Sequence, residues 1–355
     1  MQAETTPTTA VPPPPRPRLS RPRLLDFGLF VAATAWYFCA RAIAESASRG
    51  LAMRFDLSDA QPLMQAALLV FLVAAGLALL RVIERRNEYL RAVIGLPKRA
   101  TAGAEWGMGA AIGWGLAVAS VLPMALARAL SVHLWTAPRA FELGALSLAT
   151  LALATLAHAL GVYGYGFQRL VDSVGPVRAT IMIAAFGALV HSLEPGQSSA
   201  SLTVAVLSAV VVCLCWLRTH AVWLTWGLHF AWAASTGVLF GLPLGGDTSY
   251  SSVVDARAGG PLWLTGGVYG PAAAGISILL VLVAIPVLVK VTSDWAWDYT
   301  RPPIIAAGYD VTIAPPAAHV AMEQAALAAV PAVPGALVQI LPATPQGRAV
   351  DGASE

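Results

Sequence analysis

The sequence predicts an all-α, polytopic membrane protein of about eight transmembrane helices, and three observations carry that reading. Apolar residues fill 57% of the 355 positions and charged residues only 12%, about half the charged share of a soluble domain. Mean hydropathy is +0.68. Charges and prolines crowd the ends and the connecting stretches, leaving apolar runs of spanning length between them.

Residues 1–23 include V-P-P-P-P-R-P-R-L-S-R-P-R and read as a disordered, basic tail beside the membrane. The transmembrane domain covers 24–290, with spans expected at 24–44, 62–82, 106–128, 142–167, 179–193, 201–217, 221–241 and 267–290. The first apolar stretch is too long for a signal-peptide core and lacks a cleavage site. The fifth span is short and closes at Glu194-Pro195-Gly196. Beyond Lys290, Trp295, Trp297 and Tyr299 suit a membrane interface. The rest of 291–355 is Ala/Pro-rich with little to bury, and reads as a disordered tail. There is no internal repeat.

Eight spans put both termini on one side. With the N-terminus inside, 16 of the 22 Lys and Arg fall on inner segments or at the inner ends of spans. That asymmetry places both ends in the cytoplasm of an inner (plasma) membrane. The partner implied by composition is the lipid bilayer. The net charge of +3 is small and sits at headgroup level, which argues against nucleic acid. Cys39, Cys213 and Cys215 all fall inside spans, so no disulfide framework is expected.

The chemistry concentrates in 155–236, where three apolar segments each carry one of the six histidines: His158, His191 and His229. An ionisable group at membrane depth is costly and marks a function or a dedicated partner. Imidazole serves both as a zinc ligand and as an acid or base near neutral pH. Three histidines on neighbouring helices could therefore make one site, holding zinc or working without it. The spacing alone is weakly specific, because no two of them form an i,i+4 pair. The competing reading of each is a histidine that satisfies a buried carbonyl or hydroxyl.

Glu194 follows His191 by three residues, on the same helical face. It could orient that imidazole or act as a base; the competing reading is an interfacial acid. Gly161, Gly164 and Gly166 offer a face for close helix approach. Trp223, Trp226 and Trp232 form, with His229, a stripe that reads first as packing.

The stretch H-A-L-G-V-Y-G-Y-G-F-Q-R-L at 158–170 resembles, without a gap, E-E-L-L-F-R-G-Y-L-L-Q-R-L of the CPBP family of intramembrane proteases. This is the family of CAAX-protease-like and bacteriocin-processing enzymes, also called Abi. Gly164, Tyr165, Gln168, Arg169 and Leu170 match. His191 falls at the histidine of the family's Phe-x-x-x-His motif, and G-L-H-F-A-W at 227–232 is similar to its third motif, His-x-x-x-Asn. The departures lie at the catalytic positions. His158 and Ala159 replace the glutamate pair, Tyr163 the arginine, and Ala233 the third motif's polar residue. Phe186 lies five residues before His191 rather than four, so Gly187 takes the motif position.

The resemblance implies a CAAX-protease-like helical bundle and an endopeptidase that cuts membrane-anchored protein substrates. His191 and His229 would polarise the peptide carbonyl, and His158 would stand in for the base or complete a three-histidine zinc site. The lost Glu-Glu pair and the Ala/Pro/Arg-rich composition are similar to the myxosortase branch, proposed to process C-terminal sorting signals. The alternative is a catalytically inactive pseudoprotease that binds anchored or lipid-modified proteins. A transporter with a histidine relay ranks last, because no broken-helix pair or inverted repeat supports it.

Overall fold

The computed structural model describes residues 23–84, 89–193, 196–250 and 252–300, with isolated positions between 321 and 328. The chain divides into two units, Met1–Arg301 and Pro302–Glu355. Of the second, only a few helical positions are described. The expected N-terminal tail, most of the C-terminal tail and Glu194 lie outside the described residues.

The described chain is mostly helical, and five helices are long and apolar enough to cross a membrane: Arg23–Phe55, Ser58–Ile83, Ala102–Leu126, Pro138–Val174 and Ser199–Thr219. Two shorter apolar helices, Pro176–Ser192 and Gly275–Val291, accompany them. The expected seventh span is also helical, but it changes character part-way along.

In order, α1 is Arg23–Phe55, α2 Gln61–Ile83, α3 the single turn Leu90–Val93, and α4 Ala102–Leu126. A strand β1 follows at Leu130–Leu134. Helix α5, Pro138–His158, passes through a π-helical stretch, Ala159–Gly164, into α6, Tyr165–Val174. Then come α7, Pro176–Ser192, α8, Ser199–Thr219, and α9, Trp223–Ala233, which ends in a second π stretch, Ala234–Leu239. Strand β2, Val254–Ala258, the turn α10, Leu262–Thr265, helix α11, Gly275–Val291, and α12, Ser293–Thr300, complete the first unit.

Several expected boundaries need correction. The first span, expected at 24–44, is the start of a 33-residue helix. Its outer turns carry Glu45 and Arg49, an i,i+4 ion pair at 2.5 Å, and so continue as a polar helix. The fourth, expected at 142–167, is a continuous 37-residue helix. It carries Arg169 inward because Asp26, Asp172 and Glu84 meet the guanidinium at 3.2, 3.4 and 3.8 Å. The eighth starts at Gly275 rather than 267, since Gly266 and Gly270 take positive φ (69° and 90°) and break the helix there. The tail expected from 291 begins instead as α12, whose Trp295 packs onto the α8 and α11 core. The Trp297 and Tyr299 side chains lie outside the described ones.

The largest correction to an all-α reading is a two-stranded antiparallel sheet, β1 with β2, in the register Leu130↔Ala258 to Leu134↔Val254. The flanking bonds Trp135 N–H to Val253 O (2.8 Å) and Gly259 N–H to Ala129 O (2.7 Å) extend the ladder past both ends of the pair. On the far side of β2, Ala256 N–H donates to Gly241 O at 3.0 Å.

Three helix contacts place the site. Helices α4 and α9 meet backbone to backbone: a Cβ on Gly109, Gly113 or Gly227 would sit 2.1–2.2 Å from a carbonyl oxygen of the other helix. Such small-residue contacts let dispersion act over the whole helix face. Trp226 Nε1 donates to Ala152 O at 3.0 Å, tying α9 to α5. Trp36 lies over Gly76 and donates to Leu72 O at 2.9 Å, joining α1 to α2.

Candidate functional site

His158 is the last residue of α5, directly before the first π stretch. A π turn widens the helix by one residue and is often found at functional sites. Here the stretch brings Gly161 against Tyr37 of α1. A Cβ on Gly161 would lie 2.2 Å from Tyr37 Cδ2, so the missing side chain is the space the phenol ring occupies. From that seat the Tyr37 hydroxyl reaches His158 Nδ1 at 3.3 Å.

His229 stands mid-way along α9, and its ring centroid is 5.5 Å from that of His158, edge to face. Tyr163 completes the group, 5.5 Å from His158 and 6.2 Å from His229. His191, in the last turn of α7, lines the same cavity of about 190 Å³, together with Ser201, Trp232 and Tyr269. That volume is well above the roughly 10–15 Å³ that one water needs.

The cavity adjoins a second hollow of about 350 Å³, since His191, Trp232 and Tyr269 line both. Its further wall includes Thr236, Pro243 and Gly245. Gln197 braces this region: its Nε2 donates to the Tyr269 hydroxyl at 2.9 Å, while Ser201 Oγ donates to its Oε1 at 2.6 Å. Ser201 also closes a capping box with Ser198 at the start of α8, so the first turn of that helix and the cavity wall are one structure. The Thr236 hydroxyl, in the second π stretch, is buried without a hydrogen-bond partner among the described residues.

The three histidines singled out in the sequence are thus brought to one cavity, and Trp232 of the tryptophan stripe lines it. Trp223 and Trp226 instead hold backbone carbonyls, Trp223 reaching Pro97 O at 3.3 Å. Among the described residues, no group of three His, Cys, Asp or Glu side chains is placed to hold a metal ion. The zinc expectation therefore finds no fit in this arrangement. What it offers is a close imidazole pair, a third imidazole shared with the second hollow, and phenol and hydroxyl donors around them.

Sequence reasoning missed Tyr37, Gln197, Ser201, Thr236 and Tyr269. Only Tyr163 had a signal, since it stands where the resembled motif has its arginine. No family model, curated sequence or solved structure matches this chain.

Proposed function

We propose that the protein is an intramembrane endopeptidase of the CPBP type, cutting membrane-anchored proteins close to the bilayer. The observation that carries the reading is that His158, His191 and His229, from three separate helical segments, line one cavity inside an apolar bundle. Ionisable groups are too costly at that depth to gather without a use. In this reading the chain crosses an inner membrane eight times with both termini in the cytoplasm. The ends of α7 and the second π stretch then face outward, so the 350 Å³ hollow is the mouth. The substrate is an anchored segment of the C-terminal sorting-signal kind.

Hydrolysis needs a proton acceptor, a donor for the carbonyl oxygen, and a water. As water oxygen bonds to the carbonyl carbon, its proton passes to one imidazole. The oxyanion is held by an N–H of another. The first imidazole then returns the proton to the amine nitrogen as the C–N bond breaks. The apolar walls strengthen these interactions by keeping bulk water out. No step here runs through a metal.

One observation favours the pseudoprotease reading. No carboxylate lines either hollow among the described residues. Cleavage of C-terminally anchored reporters in membranes decides between the two. The expected result is that wild type cuts, while His191→Ala and His229→Ala at matched levels lose about 10²–10⁴-fold, the usual worth of acid–base catalysis. Undiminished cutting by either variant overturns the assignment. A wild type that retains anchored reporters without cutting them supports the binding role.

A further inference from the structure

We propose that Tyr37 is a positioning residue that fixes the tautomer of His158: its hydroxyl donates to Nδ1, so that His158 offers an Nε2–H donor to the cavity. The proton-accepting role in hydrolysis then falls to His229. The tautomer stands on geometry alone, and only its use in catalysis rests on the endopeptidase reading.

A neutral imidazole carries one proton on two nitrogens, so whatever holds one nitrogen decides what the other can do. The Tyr37 hydroxyl lies 3.3 Å from His158 Nδ1. It comes from a side chain only 5% exposed. Among the described residues no other acceptor takes that hydroxyl. A phenol donates better than it accepts, and a buried O–H left unpaired keeps its full desolvation penalty. Were Nδ1 protonated, it would donate to the phenol oxygen and leave the phenol hydrogen with nothing to meet. With Nδ1 accepting, the hydroxyl is satisfied and the imidazole proton sits on Nε2.

The contact is built into the backbone. Tyr37 occupies the space of a side chain absent at Gly161, three residues beyond His158 and inside the π stretch. The phenol and the imidazole are thus presented by one distortion of one helix. Where the resembled family has a carboxylate, this chain has an imidazole locked as a donor.

This assigns the steps, and leaves His191, which lines both hollows, to hold the same carbonyl oxygen with a second N–H. A nitrogen of His229, whose ring lies 5.5 Å from His158, takes the proton of the attacking water as the new C–O bond forms. His158 Nε2–H holds the carbonyl oxygen as it gains charge, and keeps its own proton throughout. The proton on His229 passes to the leaving amine as the C–N bond breaks.

The test is the ¹⁵N spectrum of the full-length, histidine-labelled protein in lipid, with the His158 signals identified by their loss in His158→Gln. The expected wild-type result is a pyrrole-type Nε2 and a pyridine-type Nδ1. In Tyr37→Phe the two tautomers should mix. A protonated Nδ1 in wild type, or a spectrum unmoved by Tyr37→Phe, overturns the proposal. The wild-type spectrum decides even where Tyr37→Phe misfolds.

The reporter assay adds an independent arm. His158→Gln keeps an N–H donor and should retain more cleavage than His158→Glu, which can only accept as a carboxylate. Faster cutting by His158→Glu overturns the donor role. A wild type that cuts nothing removes the endopeptidase reading, while the tautomer is still decided by the spectrum.

Discussion

At Gly161 the absence of a side chain does more than permit close packing. It seats a phenol from a helix far away in sequence, and the phenol holds a histidine. A lone glycine or tyrosine in an apolar helix is ordinary, so neither could be read from the sequence as part of a site. Their meaning lies in the pairing. His220 is a second residue set by its neighbours. It ends α8 in the left-handed region, at φ 48° and ψ 34°, with its ring 5.1 Å from that of Trp216. Burial, and then the nearby Arg99 cation, hold its pKa below the ordinary 6.5. The unfolded chain therefore binds the proton more readily than the fold. Stability should be full above about pH 6.5 and fall as pH drops below it, until His220 protonates in place. Comparing melting temperatures across pH 5–7.5 for wild type and His220→Asn checks this. Asparagine tolerates the backbone conformation, and the variant should show the shallower slope.

Among the elements, the long apolar helices, five of which could cross a membrane, were legible because burial of spanning length leaves no room for charge. Their ends were not, because tertiary partners set them. Arg169 could be buried because Asp26 and Glu84 wait on α1 and at the end of α2. The pairing of β1 with β2 was missed for a related reason. L-S-V-H-L and V-D-A-R-A each alternate for five residues, but with α5 to α9 between them neither announces its partner. The π stretches have the composition of any apolar helix and leave no periodic trace. The histidine cluster was visible, in contrast, because its cost at membrane depth is independent of packing detail. The contact of α4 with α9 gives a prediction at this scale. A methyl on Gly227 would sit 2.1 Å from Trp106 O, and a backbone carbonyl cannot rotate away as a side chain can. Gly227→Ala should cost about 1–3 kcal/mol through overpacking, read as a lowered midpoint of unfolding in detergent. Gly187→Ala, in the interior of α7 where a Cβ meets nothing within 4 Å, should hold or raise the midpoint.

For the molecule as a whole, the distribution of basic residues predicts one orientation. Single cysteines introduced at position 10 and at position 310, in a background lacking the three native ones, should both resist an impermeant thiol reagent in intact cells and react once the membrane is opened. Labelling of one end alone would require an odd number of crossings. The glycine contact between α4 and α9 also bears on how the interior can move. Where two backbones touch directly, no side chain is left between them to rearrange, so the pair can only hold or part. His229 rides on that seam. His191 rides on α7, which buries only Ala179, Ile183 and Ala184 among its described residues. The hollow thus has one wall closed by direct backbone contact and one held by few buried side chains, and tilting the second is the easier way to widen it.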